Sequence, residues 1–370
     1  SEFAKKGTLD GVRVTGEDTL ELRFDRPVRL VLEHLSGGRF SAYKMSEGRS
    51  IGTGPYVISE RDRVLTLTPN PYHPVAPKLK KVKVVVTQPS DALEALRSGK
   101  IDAFLFAETA KLPDCGDERL APVKCADGQE GLHVFVGLNG MKGRLFSDPK
   151  HRSAFQALIL RNIALAEAAF NARGFIRDSQ SFLKFQSGRI PDQEAREIID
   201  AGSEHIERLV AATRTTPLYL TPTPGWKWFA DLLQSNGIRL DERSGSELSD
   251  EKYWEMYYKT FAPDLVVMGA SVSDGDPDGL YHLLGRKGAI FSPMLERKDT
   301  CDGMEEGHNL LDLSRLPAHY QGVSRNILRE VPYVHLGYYY RRIAYNSERL
   351  SVNEPMISRN NLNILALEPR

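Results

Sequence analysis

The chain has 370 residues, enough to bury more than one sizeable core. Its 49 Lys and Arg balance its 49 Asp and Glu, so no net field draws nucleic acid or an acidic membrane surface. No apolar run approaches the roughly 18 residues of a spanning helix, and three cysteines fit neither a dense disulfide framework nor a four-ligand zinc site. Ser1-Glu2-Phe3 reads as a vector remnant, so the lack of a signal peptide carries little weight.

Residues 9–27 read as a hairpin: Val12 and Val14 alternate, Thr15 to Asp18 turn, and Leu20, Leu22 and Phe24 alternate again. Next comes Gly52-Thr53-Gly54-Pro55-Tyr56-Val57, a turn whose glycines are expected at backbone angles closed to other residues, with Pro55 fixing the exit. Val82, Val84 and Val86 alternate as a strand. Ser90 is a candidate N-cap, Leu93 and Leu96 share a helix face, Gly99 suits the C′ position, and Ile101 to Phe106 reads as a buried strand. Strand, helix and strand in that order predict parallel pairing with a right-handed crossover.

Residues 107–130 read as irregular, after which Leu132, Val134 and Val136 lead to Leu138-Asn139-Gly140. Ser147 or Asp148 can cap a helix whose first turn holds Pro149 and whose face is Phe155, Leu158, Ile159 and Ile163. Helices are expected at 192–200 and 203–212, the second capped by Ser203. A second strand–helix–strand unit runs from Leu218-Tyr219-Leu220 through Trp226 to Gln234, stops at Asn236-Gly237 and returns at Ile238 to Leu240. Ser249 precedes a helix carrying Tyr253, Met256 and Tyr257. Asp264 to Gly269 reads as a buried strand running into the acidic turn Asp274-Gly275-Asp276-Pro277-Asp278, and residues 312–348 offer a helix followed by the strand Val331 to Leu336.

The order G-T-G-P-Y, Asn70-Pro71-Tyr72 and A-L-x-x-G-x-I-D at 95–102 resembles the family 5 extracellular solute-binding proteins, receptors of oligopeptide, dipeptide and nickel ABC transporters. The Phe146-Ser147-Asp148-Pro149…Arg152 segment and the acidic D-P-D turn resemble family segments too. The likeness spans about residues 9–348 and is densest at 52–106, 138–160 and 230–282. It implies an α/β protein of the two-lobed periplasmic-binding-protein type II fold with two crossing strands. Residues 1–137 would form lobe I, 138–269 lobe II, and 270–370 a return to lobe I with a C-terminal tail. Sheet and helix that normally precede the first hairpin are missing, so lobe I is expected to be truncated and to expose a sheet edge.

The resemblance further implies a periplasmic or lipid-anchored extracellular receptor, monomeric, that closes on a small or peptide-like solute and delivers it to an ABC permease, without catalysis, cofactor, metal or nucleic acid. The alternative is a ligand-sensing regulatory domain on the same fold. Peptide-binding members hold a peptide backbone with main-chain groups at the positions of Gly269 and Ser271. They neutralise its ammonium with a carboxylate where this chain has Ser273, and Asp274 stands one place later. Asn139 on the first crossing strand and the pair Trp226 and Trp228 complete the candidate ligand residues.

Other chemistry is weakly signalled. Asp274 to Gly279 fits the opening of a calcium loop, but its twelfth position is Gly285 rather than glutamate, and a capped turn is the plainer reading. Two S-x-x-K matches, Ser41…Lys44 and Ser181…Lys184, lack the further motifs of a serine acyl enzyme. The nine histidines show no metal-ligand spacing, and His73 and His335 read as surface or strand residues. Arg152 reads as a structural ion-pair residue. In exported protein Cys115 and Cys125 would close a short irregular loop, with Cys301 left over.

Overall fold

A computed structural model describes residues 11–17, 19–24, 29, 31, 43–46, 49–61, 64–106, 113–162, 164, 175–221, 227–245, 263–271, 276–286, 298–352, 357–358, 361–362 and 364–370. In chain order, β1 (Val12–Gly16) and β2 (Thr19–Leu22) form a hairpin, as do β3 (Tyr43–Ser46) and β4 (Arg49–Gly52). A three-stranded antiparallel sheet follows, in the order β5 (Tyr56–Arg61), β6 (Leu65–Pro69), β7 (Val82–Val84). Then come α1 (Pro89–Arg97), β8 (Ala103–Phe106), β9 (Val123–Leu138), α2 (Pro149–Arg161), β10 (Phe175–Arg177), α3 (Asp192–Asp200), α4 (Ile206–Thr215) and α5 (Lys227–Ser235). The chain continues through β11 (Leu265–Ser271), α6 (Tyr281–Leu284), α7 (Lys298–Asn309), α8 (Leu316–Glu330) and β12 (Tyr333–Asn346) to four short strands.

Two strands organise the rest: β9 has 16 residues and β12 has 14, and they pair antiparallel along nearly their whole length. On its other edge β9 carries β11, from Leu265 against Leu138 to Ser271 against Leu132. The other edge of β12 carries β10 and then β8. Two parallel bridges, Leu220 to Leu265 and Leu218 to Leu240, extend the rim beyond β11. The second strand–helix–strand unit therefore pairs in parallel, as its sequence predicts.

The pairing interrupts itself twice. Leu336 faces no residue of β9, because His335 faces Phe135 and Gly337 faces Val134. Lower down, Tyr340 faces Gly131 but Arg342 faces Asp127, so the extra residues there belong to β9. Such bulges bend a strand and re-aim its side chains. Gly337, at φ +148°, lies so close to β10 that a Cβ would stand 2.2 Å from the Ile176 carbonyl oxygen.

The lower bulge also divides the cores. Residues 132–138 and 333–339 are packed on both faces. On one lie Phe155, Leu158 and Ile159 of α2, Leu209 of α4, and Phe229 and Leu233 of α5. On the other lie Phe182, Leu283, Met304, Tyr320, Val323 and Ile327 around Phe135 and Tyr333. The halves at 123–126 and 342–346 serve two smaller cores, one capped by Ala92 and Leu96 of α1 and one by Leu350 and Leu367.

Several local expectations need correction. β7 and β8 do not pair with each other: β7 pairs β6 and β8 pairs β12. An alternating run shows that a strand exists but not which neighbour takes its hydrogen bonds. Ser90 is not the cap of α1. Gln88 precedes the helix without a side-chain cap bond, and Pro89, which has no N–H to satisfy, takes the first turn. Gly99 does close the helix at φ +70°, with its N–H donated to the Leu96 carbonyl at 3.1 Å. Gly52 and Gly54 have ordinary φ, and the turn is held by Asn70, whose Nδ2 donates to the Gly54 carbonyl at 2.8 Å. Ser203 lies inside a 3-10 turn and its buried hydroxyl caps nothing. Residues 123–130, read as irregular, are the start of β9, where Lys124, Asp127, Gly128, Gln129 and Glu130 obscure the alternation. The helix expected after Ser249, with Tyr253, Met256 and Tyr257, lies outside the described residues.

Candidate binding site

β11 ends where the sheet passes from one pair of cores to the other. Its last three residues, Gly269, Ala270 and Ser271, pair with Val134, His133 and Leu132, just above the lower bulge. Gly269 is exposed, and a Cβ there would meet Leu132 Cδ2 at 2.8 Å. The absence of a side chain at 269 leaves room for that of Leu132. The same sheet level carries Tyr339, whose ring lies 5.0 Å from that of Phe175.

Of the other expected ligand residues, Ser273, Asp274 and Trp226 lie outside the described residues. Trp228 sits in the first turn of α5, partly buried against the larger core, with its ring 5.5 Å from Phe229. Asn139 is at the far end of β9 from Leu132, seven residues or about 23 Å along an extended strand. It is fully buried, its Nδ2 donates to the Pro263 carbonyl at 2.9 Å, and its Oδ1 accepts from Met141 N at 3.2 Å. It ties the end of β9 to the start of β11. Asp264 beside it accepts from Tyr219 N at 2.9 Å, and burial holds its carboxyl above the usual range.

The acidic turn is a structural hub. Asp276 accepts from Asp278 N at 2.8 Å, capping the 3-10 turn Pro277–Leu280, and receives both terminal nitrogens of Arg29 at 2.5 and 2.9 Å. Asp278 is buried against His308 Nδ1 at 2.7 Å and accepts from the Tyr320 hydroxyl at 2.9 Å. Both carboxylates are thus engaged by the chain itself, as the plainer reading of this turn expects. Among the described residues no group of three or more His, Cys, Asp or Glu could hold a metal ion, and no helix is long and apolar enough to cross a membrane.

The second S-x-x-K match dissolves on inspection: Ser181 is buried and accepts from the Tyr333 hydroxyl at 2.7 Å, whereas Lys184 is exposed. Ser41 of the first lies outside the described residues. Arg152 is structural: Nε donates to the Glu330 carbonyl at 2.7 Å, at the C-terminus of α8, and one terminal nitrogen donates to the Phe146 carbonyl at 2.8 Å. Cys115 and Cys125 are bridged, and Cys301 is not part of a disulfide.

Sequence reasoning missed a pair of buried histidines. His133 on β9 and His335 on β12 lie 202 residues apart in sequence, yet Nδ1 of the first is 3.0 Å from Nε2 of the second. The Leu336 bulge sets the faces of this stretch. One ring must donate and the other accept, so the accepting ring is neutral. Burial pushes His335 down to about 3, and burial together with His335 holds His133 well below the usual range. Only tertiary pairing creates this contact, so no local spacing could announce it.

Solved structures resemble the chain closely in fold. HbpA2 from Haemophilus parasuis superposes with a TM-score of 0.73 at 14% identity, over 97% of this chain and 75% of that one. NikA from Staphylococcus aureus, solved with Ni(L-His)2, gives 0.70 at 16%, covering 97% and 78%. DppA from Helicobacter pylori, solved with the peptide STSA, gives 0.69 at 16%, covering 97% and 73%. The fold is that of the periplasmic binding proteins. Residues 1–292 match the pattern of the Bacterial extracellular solute-binding proteins, family 5 Middle, and the chain belongs to that family. No curated protein sequence matches it.

Proposed function

We propose that the chain is the solute-binding component of an ABC transporter, acting outside the cytoplasm and closing two lobes around a small, peptide-like or related solute for a membrane permease. One observation carries the reading. The stretch expected to hold a ligand, Gly269 to Ser271, begins at an exposed glycine and ends at the level where β9 and β12 leave one pair of cores and enter the other. A ligand bound there touches both bodies and favours the state in which they approach. The lobes are proposed as 1–137 with the return of 270–370, and 138–269.

The proposed contacts are Gly269, Ser271, Ser273, Asp274 and Trp226, with Trp228 from the first turn of α5. Serine at 273 can hydrogen-bond but cannot neutralise an ammonium, so the preferred ligand lacks a free α-ammonium. Native mass spectrometry of freshly purified protein identifies a co-purified solute. Calorimetry with a short-peptide library then compares wild type, Ser273→Asp and Asp274→Asn. Free-amine peptide binding gained in Ser273→Asp supports the assignment. Tight binding of such peptides by wild type, lost in Asp274→Asn, overturns the role given to Ser273.

A further inference from the structure

Arg29 reaches across the molecule. Its two terminal nitrogens donate to the Asp276 carboxylate at 2.5 and 2.9 Å, and its side chain is 5% exposed. The segment that carries it runs on into β3–β7, and the sheet β5–β7 is built into the lower pair of cores. There Leu79 packs with Ile343, Leu350 and Leu367, the Tyr56 hydroxyl donates to the Leu79 carbonyl at 3.1 Å, and Lys78 pairs with Glu368. Asp276, at the start of the returning segment, is built into the upper pair. Leu280, Leu283 and Leu284 after it lie in the core of Phe135 and Tyr333, and Asp278 is held by His308 of α7 and Tyr320 of α8. Among the described residues no other side-chain hydrogen bond or ion pair joins residues 11–61 to residues 263–330. Arg29 Nε is buried without a partner. Release to water satisfies that donor, so opening the contact recovers part of what breaking the charge pair loses.

We propose that Arg29 and Asp276 are a clasp between the two bodies, made when they approach and broken when they part. Asp276 follows closely on Asp274 in the sequence. A ligand held at 269–274 and the clasp both favour the approached state, so the clasp lets the ligand-free protein visit that state already. A purely structural pair would instead contribute to stability and leave the spacing of the bodies unchanged. The proposal rests on the two-body reading of the site, and on no particular ligand.

The test measures the distance between the bodies by electron–electron resonance, in whole chain shown by native mass spectrometry to carry no solute. Spin labels go on Lys100→Cys, after α1, and Arg196→Cys, in α3, both exposed, in a Cys301→Ser background. Arg29→Met keeps an apolar stem and leaves Asp276 its bond from Asp278 N. In it the ratio of short to long distances should fall at least about fivefold from that of the otherwise wild-type chain. Arg29→Lys, which keeps the charge but not the two-nitrogen grip, should fall between the two. Thermal melts of the same samples separate folding from closure. An Arg29→Met that melts earlier yet keeps the parent distances shows a purely structural pair and overturns the proposal. If Arg29→Met does not fold, the ratio is read in Arg29→Lys, and an unchanged ratio there overturns it too. No ligand enters the experiment, so its failure leaves the solute-binding reading to its own test.

Discussion

The His133–His335 contact makes stability depend on pH in a calculable way. Both rings are buried and neutral in the folded protein, whereas an unfolded histidine titrates near 6.5. Below that value the unfolded chain binds more protons than the folded one, so stability falls as pH falls. The window opens at the unfolded value and for His335 extends down to about 3. Between pH 7 and 5 His335 costs about 1.9 kcal/mol, out of the roughly 5–15 kcal/mol typical of a domain, and His133 acts in the same direction. Asp178 and Asp264, whose carboxyls are raised by burial, work in the opposite sense, gaining stability as pH falls toward the ordinary carboxylate value. Urea unfolding at pH 7, 6 and 5 should therefore show a steep loss in wild type. In His133→Gln/His335→Gln, whatever its absolute stability, the loss between pH 7 and 5 should shrink by about 2 kcal/mol or more. An unchanged pH slope in the double variant would show that these rings are not neutral and buried, and would refute the reasoning.

Arg152→Met should cost about 2–3 kcal/mol in denaturant unfolding, because it strips a charged donor from the Glu330 and Phe146 carbonyls; a loss under about 0.5 kcal/mol would mean that water replaces it. Asp178→Ala removes one of the two carboxylates that Arg189 donates to, each at 2.7 Å, and should cost about 1.5–3 kcal/mol; a midpoint matching wild type would contradict this. Reduction of the Cys115–Cys125 bridge, whose partners are 10 residues apart, should cost roughly 2–3 kcal/mol on the chain-entropy account, read as a lower denaturation midpoint with reductant present.

Elements with a local signature were legible in the sequence. α3 falls at 192–200 as its pattern predicts, Asp148 caps α2 with Pro149 in the first turn, and Gly99 ends α1. Pairing partners were not. Val82 and Val84 announce a strand, but whether it joins β6 or β8 depends on groups far away in the chain. The first half of β9 was hidden because its interruption falls at Gly128 to Glu130, where polar residues and a bulge break the two-residue period. Gly269 and Ser271 were proposed through a motif, and pairing sets them beside Val134 and Leu132. Asn139 was drawn by the same likeness, but its amide is spent joining β9 to β11. His133 and His335 stand on different strands, and neither has a neighbour in sequence that hints at the other.

The two interruptions between β9 and β12 have a consequence for how the chain finds its pairing. At Leu336 the surplus residue is on β12, and near Gly128 the surplus is on β9. The offset between the strands therefore shifts one way and then the other along the ladder. A sliding strand could satisfy one segment in a wrong alignment, but no uniform slide satisfies all three. The interruptions act like the notches of a key: each admits several trial positions alone, and together they admit one. Two long strands of Val, Leu, Phe and Tyr, which would otherwise zip together in many near-equivalent ways, are thereby left with a single seating.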